Sequence, residues 1–143
     1  LYDFLIDHIN NQKNFFLGIC VGMQILLSKG TEEGKEDGLN YFKGTVINFN
    51  EIKKSKTPNI NWNNIDIKIK DDLFQNLSNK EFYFLHSYLC NIEEKKNIIA
   101  TANYNGINFP CVIKKNNVYG IQFHPEKSNI QGLEILKNFC NLT

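Results

Sequence analysis

The sequence predicts an α/β fold in a single domain that spans residues 1–143. Three observations lead to this class. An apolar stretch, a glycine-flanked turn and a helix-like segment follow one another over residues 14–28, strand-like segments fill residues 44–123, and an amphipathic stretch closes the chain. A strand, turn and helix followed by more strands and a last helix are typical of helices packed on a central sheet.

The front of the chain is predicted as helix, strand and helix. Residues 1–10 carry apolar side chains at helical spacing. Residues 14–19 form a short apolar run, as expected of a strand buried on both faces. Residues 22–28 are apolar nearly all round and are predicted as a buried helix. The acids and glycines of residues 30–39 indicate a loop.

Strands dominate the middle of the chain. Alternating polarity and β-branched or aromatic residues predict strands at residues 44–50, 65–69, 82–89, 98–104, 111–115 and 118–123. A loop that contains Pro58 is expected over residues 53–61. Asn116 and Asn117 lie between the last two strands and predict a two-residue hairpin turn.

Two helical segments are predicted in the second half. Residues 71–77 suggest a helical turn capped by Asp71 or Asp72. The chain closes with a helix, because apolar residues recur every three positions. Its apolar face is predicted to consist of Ile130, Leu133, Leu136 and Phe139.

Composition argues against several function classes. The 16 Lys and Arg residues nearly balance the 15 Asp and Glu residues, which leaves no charge footprint for nucleic acid or a membrane surface. No apolar run approaches the roughly 18 residues that a membrane span needs. The 4 cysteines are far apart, without a Cys-x-x-Cys pair. We therefore expect no metal site or disulfide framework, and reduced thiols in a cytoplasmic protein.

One cysteine lies in a pattern that can carry chemistry. Gly18-Ile19-Cys20-Val21-Gly22 matches the nucleophile elbow, with cysteine in place of serine. Glycines on both sides are expected to keep Cβ atoms out of a crowded turn, and the nearby helix N-terminus stabilises a thiolate. The backbone N–H of Val21 would point at a forming oxyanion. The alternative is that Cys20 is a small buried residue at the end of a strand.

A cysteine nucleophile usually needs a histidine. His124 directly follows the predicted strand 118–123, and strand ends are where α/β sheets place chemistry. In an extended His-x-Glu, Glu126 lies on the same side as His124 and can orient the imidazole. His8 is better explained as a surface residue. The residues thus predict a nucleophile, a base and an orienting carboxylate in the order Cys20, His124, Glu126.

These motifs resemble those of the class I (triad) glutamine amidotransferases. The segments GICVGMQ and QFHPE carry the likeness to the class. The segments HPEKS, YFLHSY, a Trp-Asn pair after a lysine-proline loop, and the final GLEILKNF are similar to the glutaminase subunit of imidazole glycerol phosphate synthase, of histidine biosynthesis. The resemblance implies a flavodoxin-like, three-layer fold with a central, mostly parallel sheet.

The resemblance also implies an activity. Such subunits hydrolyse L-glutamine to glutamate and ammonia, without a metal or organic cofactor. They pass the ammonia to a (β/α)₈-barrel cyclase subunit, with which they form a heterodimer. Carried over by residue, Cys20 is the nucleophile, His124 the general base and acid, and Glu126 the orienting group.

The family match extends to substrate contacts. Gln24 lies four residues beyond the cysteine, on the same helical face, and is expected to contact the substrate glutamine. Glu32 matches an acid that recognises the substrate amino group, with Glu33 as the alternative if the loop register differs. The last contacts expected are with the substrate carboxylate, through the backbone of His86, Ser87 and Tyr88.

Two departures from the family pattern leave other interpretations open. Family members carry further N-terminal βα units and a glycine-rich strand, often PGVG, that supplies a second oxyanion N–H. No such motif precedes Cys20, so we expect an N-terminally truncated, partial domain. A lost oxyanion donor costs roughly 10²–10³ in rate. The usual PHMGWN reads PNINWN at residues 58–63, which leaves open a paralogous subunit for another acceptor, such as in cell-surface sugar amidination, or a catalytically silent fragment.

Overall fold

The computed structural model of the chain describes residues 1–30, 36–54 and 56–143. The helices are α1 (Tyr2–Asn10), α2 (Val21–Gln24), α3 (Phe49–Ile52) and α4 (Asn129–Cys140), with 3₁₀ turns at Asp72–Phe74, Lys95–Asn97 and Pro125–Lys127. The strands are β1 (Phe16–Ile19), β2 (Leu27–Gly30), β3 (Glu36–Asp37), β4 (Phe42–Asn48), β5 (Asn59–Asn64), β6 (Asp66–Ile67), β7 (Glu81–His86), β8 (Tyr88–Ile92), β9 (Ile98–Tyr104), β10 (Ile107–Lys115) and β11 (Val118–Ile121).

The strands form mixed sheets. The largest has the order β1-β11-β10-β9-β6, a second has the order β3-β2-β4-β8, and β5 pairs with β7. The parallel pairs are β1 with β11 and β2 with β4. The other described pairs are antiparallel. The α/β class is confirmed, but the expected mostly parallel arrangement holds only at those two pairs among the described strands.

Helices cover both faces of β11. The Tyr119 ring packs edge-on against Phe139 of α4, with 5.9 Å between ring centroids. A Cβ atom at the next residue, Gly120, would lie 2.8 Å from Met23 Cγ of α2. Neighbouring residues of a strand point to opposite faces, so α4 and α2 lie on opposite sides of the sheet. This gives the three layers that the family resemblance implies, with a hydrophobic cluster on each side.

The predicted helix at residues 22–28 is shorter than expected. Helix α2 ends at Gln24, and the residues from Leu27 onward form β2. Leu27 is fully buried and pairs with Phe42 of β4. Burial of leucine is equally favourable in a helix or a strand, so the apolar pattern alone could not distinguish them. The prediction of a helix buried all round is also wrong at Ile25, which is 40% exposed.

Two further strand predictions need correction. Strand β5 begins inside the predicted loop 53–61 and extends to Asn64. Its asparagines disfavour a strand, but the segment pairs residue by residue with β7. The predicted strand 82–89 is divided at Ser87, since β7 pairs with β5 whereas β8 pairs with β4.

The strand 98–104 is confirmed as β9. The helical turn is also confirmed, and Asp71 is its cap, because Asp71 Oδ1 accepts the Leu73 N–H at 3.0 Å.

Helix α4 packs on the core through Phe139 of the predicted face, but most of its buried face differs from the prediction. Ile130 and Leu133 are 75% and 65% exposed. The buried residues are Gln131, Gly132, Ile135 and Asn138. A Cβ atom at Gly132 would overlap the carbonyl oxygen of Pro125, so only glycine lets the helix contact this turn. Asn138 Nδ2 donates to the carbonyl oxygens of Leu73 and Gln75 at 3.0 and 2.7 Å. Polar bonds and a close backbone contact therefore override the apolar pattern.

The described residues contain neither a membrane-spanning helix nor a cluster suited to a metal ion. In this part of the chain, no helix is long and apolar enough to cross a membrane. Among the same residues, no group of three or more His, Cys, Asp or Glu side chains is arranged to hold a metal ion.

Candidate active site

Cys20 lies on a sharp turn between β1 and α2. Its φ and ψ are 53° and −106°, a region that residues other than glycine rarely adopt. The Cys20 N–H donates to Ile121 O at 2.8 Å, and Cys20 O accepts the N–H groups of Met23 and Gln24 at 3.0 and 3.3 Å. The turn is thus held from both the sheet and the helix. This is the strand-turn-helix geometry that the elbow motif predicts.

Of the two glycines that flank Cys20, only Gly18 lies where an added side chain would clash. A Cβ atom at Gly18 would overlap the carbonyl oxygen of Gly22. A Cβ atom at Gly22 would meet nothing within 4 Å. The expectation that both glycines are needed for space therefore holds at Gly18 and is wrong at Gly22. Gly22 contributes its backbone to the contact, and the space that must stay empty is at Gly18.

His124 and Glu126 form a pair at the end of the neighbouring strand. His124 Nδ1 donates to Glu126 Oε1 at 2.6 Å, which leaves Nε2 as the acceptor nitrogen of the ring. The His124 N–H donates to Tyr83 O at 2.9 Å, so β7 fixes the backbone of the turn. The side chains are 18% and 49% exposed, and both can therefore be reached from solvent.

The parallel pairing of β1 and β11 places Cys20 and His124 at neighbouring strand ends. Ile19 is paired with Ile121, so Cys20 and His124 follow adjacent strands at the same edge of the sheet. Cys20 Sγ lies 3.6 Å from Nε2 of Gln122, the residue two positions before His124. The same sulfur is 3.9 Å from Leu85 O of β7. The predicted triad residues therefore share one edge.

The other three cysteines have different environments. Cys90 and Cys111 are buried, and burial raises the pKa of both thiols well above its ordinary value. Cys140 is exposed at the end of α4. Cys20 is partly buried, and it follows the strand next to the one that precedes His124. This environment favours the nucleophile over the alternative of a buried structural residue.

Gln24 lies on the wall of a cleft beside the elbow. The cleft has a volume of about 170 Å³ and is lined by Val21, Gln24, Ile25, Gly30, Asp37, Gly38 and Val46. Gln24 is 9% exposed, and its Nε2 donates to Tyr88 O at 3.5 Å and to Gln122 Oε1 at 3.4 Å. Its predicted contact with substrate is compatible with this position. Glu32 and Glu33 lie outside the described residues.

The segment formed by His86, Ser87 and Tyr88 joins β7 to β8. The His86 side chain is buried in the aromatic core, not in the cleft, and its ring centroid is 5.3 Å from that of Phe49. Nδ1 donates to Tyr88 O at 2.7 Å, and Nε2 accepts from Asn59 Nδ2 at 3.1 Å. Burial lowers the His86 pKa to about 4, and the charge of His124 acts in the same direction. His86 is thus neutral, and a substrate contact by its backbone remains a prediction.

Two residues of the site were missed from the sequence. Ser128 is fully buried; its Oγ donates to His124 O at 2.6 Å and accepts the Tyr83 N–H at 2.9 Å. Gln122 contacts the cysteine sulfur, as described above. Gln122 had a local signal, because residues two apart in an extended segment point to the same side and Gln122 precedes His124 by two. Ser128 had none beyond its place after the HPEK segment.

The chain is similar to curated proteins over nearly its whole length. The imidazole glycerol phosphate synthase subunit HisH of Leptospira borgpetersenii is 46% identical over 144 residues, which cover 98% of this chain and 70% of that protein. Subunit HisH 1 of the same synthase in Methanococcus maripaludis is 47% identical over 132 residues, which cover 92% of this chain and 64% of that protein. The chain thus spans about two thirds of the length of these relatives.

Solved structures share the fold at low sequence identity. PurLQS from Thermotoga maritima superposes with a TM-score of 0.69 at 18% identity, covering 96% of this chain and 66% of that chain. A structure described as a glutamine amidotransferase superposes with a TM-score of 0.66 at 13% identity, covering 97% of this chain and 68% of that chain. At such identities the likeness supports the fold alone.

The family itself is established by a match to a family model. The model described as "Glutamine amidotransferase class-I" matches residues 4–142, a range that contains both the elbow and the His-x-Glu segment. The likeness to HisH subunits that the sequence motifs indicated is confirmed at 46–47% identity. The chain belongs to the class-I glutamine amidotransferase family.

Proposed function

We propose that this chain hydrolyses L-glutamine to glutamate and ammonia, and that the ammonia serves an imidazole glycerol phosphate synthase in histidine biosynthesis. One observation carries the proposal: a partly buried cysteine on a strained elbow shares a sheet edge with a hydrogen-bonded His-Glu pair. A nucleophile, a base and an orienting group in this arrangement are suited to acyl transfer. The assignment to histidine biosynthesis is based on the relatives named as HisH subunits of imidazole glycerol phosphate synthase.

The first half of the reaction forms a thioester. His124 Nε2 takes the proton from the Cys20 thiol, and the sulfur attacks the γ-carboxamide carbon of glutamine. The carbonyl electrons move to oxygen, and the Val21 N–H is assigned to this oxyanion. Val21 is the first residue of α2, so its N–H has no acceptor within the helix. His124 then returns its proton to the leaving nitrogen, the C–N bond breaks and ammonia departs.

The second half hydrolyses the thioester. His124 Nε2 removes a proton from a water molecule, which attacks the acyl carbon. The C–S bond breaks, its electrons stay on sulfur, and glutamate leaves. In both halves Glu126 Oε1 accepts the Nδ1–H of His124, which holds Nε2 toward the reacting atoms and stabilises the imidazolium.

Substrate binding is assigned to the cleft next to the elbow. Gln24 lines it, and the backbone around Ser87 leads from β7 to β8 beside Tyr88, whose carbonyl bonds Gln24. We assign the substrate carboxylate to the backbone of residues 86–88, and its amino group to Glu32 or Glu33. No cofactor enters the proposed reaction.

The proposed partner is a (β/α)₈-barrel cyclase subunit that forms a cytoplasmic heterodimer with this chain. The relatives are named as subunits of the synthase. Ile60 and Trp62 of β5 are 55% and 42% exposed, and β5 pairs with β7, whose Tyr83 O holds the catalytic turn. Exposed apolar side chains so close to the site are suited to a protein interface. We therefore place the cyclase against β5.

The two other interpretations are weaker. A paralogous subunit for another acceptor is not favoured, because the relatives described above are subunits of imidazole glycerol phosphate synthase. A catalytically silent module has no chemical need to keep Cys20, His124 and Glu126 together.

The test is glutamate release by the protein together with its cyclase subunit. We expect Cys20→Ala to abolish hydrolysis, because the nucleophile is gone. Cys140→Ser changes an exposed thiol at the end of α4 and should keep the wild-type rate. Substantial hydrolysis by Cys20→Ala would contradict the proposed function.

A further inference from the structure

A fully buried glutamine, Gln122, contacts the side chains of both Cys20 and Gln24. Gln122 follows β11 directly and is 0% exposed. Its backbone N–H donates to Cys111 O at 2.9 Å, which fixes its place against β10. Its side chain makes two contacts: Oε1 accepts from Gln24 Nε2 at 3.4 Å, and Nε2 lies 3.6 Å from Cys20 Sγ. The roles proposed above give this side chain no function.

The direction of the Gln122 amide is determined by its neighbours. A backbone carbonyl can only accept hydrogen bonds, so Tyr88 O requires the Nε2 end of Gln24, at 3.5 Å. The second N–H of Gln24 then points at Gln122, which must present Oε1. The remaining end of Gln122, its Nε2 donor, consequently faces the sulfur. Tyr88 O is itself held by His86 Nδ1 at 2.7 Å, so the chain of bonds starts from a fixed carbonyl.

We propose that Gln122 stabilises the Cys20 thiolate by direct N–H donation, and that Gln24 sets the direction of this bond. A hydrogen bond to a charged acceptor is stronger than one to a neutral thiol, so the donor favours the thiolate. Because Gln122 is fully buried, water competes little for the bond. The amide does not titrate, and its effect is therefore present at every pH.

The inference deepens the proposed glutaminase function and rests on it for its consequences in turnover. In the first half-reaction, more thiolate means faster attack. In the second half-reaction the C–S bond breaks and its electron pair stays on sulfur, where the Gln122 N–H stabilises it as a leaving group. A single donor thus assists both steps.

The turn after β11 and the strands β7 and β8 carry ionisable groups near Cys20. His124 and Glu126 come from the turn after β11, and they form the pair at 2.6 Å. His86, at the end of β7, is neutral because burial lowers its pKa to about 4. Cys90 of β8 is a buried thiol whose pKa is raised well above its ordinary value by burial and, to a smaller extent, by the charge of Cys20. The test therefore leaves all four unchanged.

The experiment measures the pH dependence of Cys20 alkylation by iodoacetamide. A Cys140→Ser background removes the exposed thiol, while Cys90 and Cys111 are protected by burial. Gln122→Met keeps an unbranched side chain but lacks the N–H donor. Gln122→Asn keeps the amide, but its side chain is one methylene shorter and the amide lies farther from Cys20 Sγ. We expect the midpoint of the alkylation curve to rise by about one pH unit in each, a roughly tenfold loss of thiolate below the midpoint.

A matched control distinguishes donation from general packing. Gln131→Met makes the same change at another buried glutamine, on α4, whose Nε2 bonds Ser78 Oγ. The midpoint should stay at the wild-type pH in this variant. If Gln122→Met does not fold, Gln122→Asn carries the test. An unchanged midpoint in a folded Gln122 variant, or an equal shift in Gln131→Met, would overturn the inference.

Failure of the inference and failure of the proposed function give different results. Alkylation needs no glutamine turnover. Hydrolysis that depends on Cys20, together with an unchanged midpoint in the Gln122 variants, would remove only the role of Gln122. A shifted midpoint in a protein without glutaminase activity would remove only the proposed function and leave the donor bond supported.

Discussion

The carbonyl oxygen of Gly22 occupies the space that a Cβ atom at Gly18 would fill. A backbone oxygen cannot move aside as a flexible side chain can, so the elbow has to deform if any side chain is placed at residue 18. The same turn holds Cys20 at a φ of 53°, which the surrounding contacts must maintain.

Gly18→Ala is therefore expected to disable the site. The substitution should displace α2 and lower glutamine hydrolysis by at least the roughly 10² expected when an oxyanion donor is misplaced. Gly22→Ala is the control, since a Cβ atom there meets nothing within 4 Å. Steady-state kinetics and circular dichroism of both variants test this. Equal activity of the two variants would contradict the elbow geometry.

Glu126→Gln is expected to reduce kcat while the affinity for glutamine stays nearly unchanged. The amide can still be near His124 Nδ1, at the position where Oε1 accepts at 2.6 Å, but it no longer stabilises an imidazolium. Because the Glu126 side chain is 49% exposed, we expect a loss toward the lower end of the roughly 10²–10⁴ range of acid-base catalysis. Glu94→Gln, beside Lys96, is the control. A wild-type kcat in Glu126→Gln would argue against the orienting role.

Ser128→Ala tests how the catalytic turn is held. In the wild-type protein the Tyr83 N–H donates to Ser128 Oγ at 2.9 Å. The substitution removes this buried acceptor. An unsatisfied buried group costs about 1–3 kcal/mol of unfolding free energy, which urea denaturation measures. Ser78→Ala removes a hydroxyl that bonds Gln131, but Ser78 is exposed, so water can take the place of its hydroxyl and the cost should be roughly 0.5 kcal/mol or less. An equal loss of unfolding free energy in the two variants would show that the Ser128 hydroxyl does not stabilise the catalytic turn.

His86 should make the protein sensitive to acid. Its pKa is lowered from 6.5 to about 4 by burial, so between these pH values the unfolded chain binds a proton that the folded chain does not. We therefore expect the contribution of His86 to the free energy of unfolding to be complete above pH 6.5 and to fall by about 3 kcal/mol as the pH drops toward 4. In His86→Gln this loss should disappear. Urea unfolding at several pH values tests it, and the same slope in both proteins would refute it.

The elbow and the His-x-Glu pair could be predicted because their geometry is local. Gly18, Cys20 and Gly22 specify a turn within five residues, and His124 and Glu126 are two residues apart. The joining of these two segments into one site depends on the parallel pairing of β1 with β11. No short sequence pattern encodes that pairing, and it was not predicted.

Contacts that depend on distant partners could not be predicted. The strand at Leu27–Gly30 and the Asn-rich β5 form because β4 and β7 pair with them, against local preference. Gln122 reaches Cys20 across 102 positions of the chain, and its place two residues before His124 indicates only which side it faces, not this contact. The face through which helix α4 packs is set by the close contact of Gly132 with Pro125. The spacing of apolar residues along the sequence contains no information about this contact.

Site-selective trapping of Cys20 is the measurement that decides whether this chain carries a glutaminase nucleophile. The protein is treated with a glutamine-like diazoketone, and the labelled cysteine is identified by peptide mass spectrometry. We expect saturable labelling at Cys20, protection by L-glutamine and little labelling at the exposed Cys140. Labelling of Cys140 without glutamine protection, and none at Cys20, would contradict the assignment of Cys20 as the nucleophile.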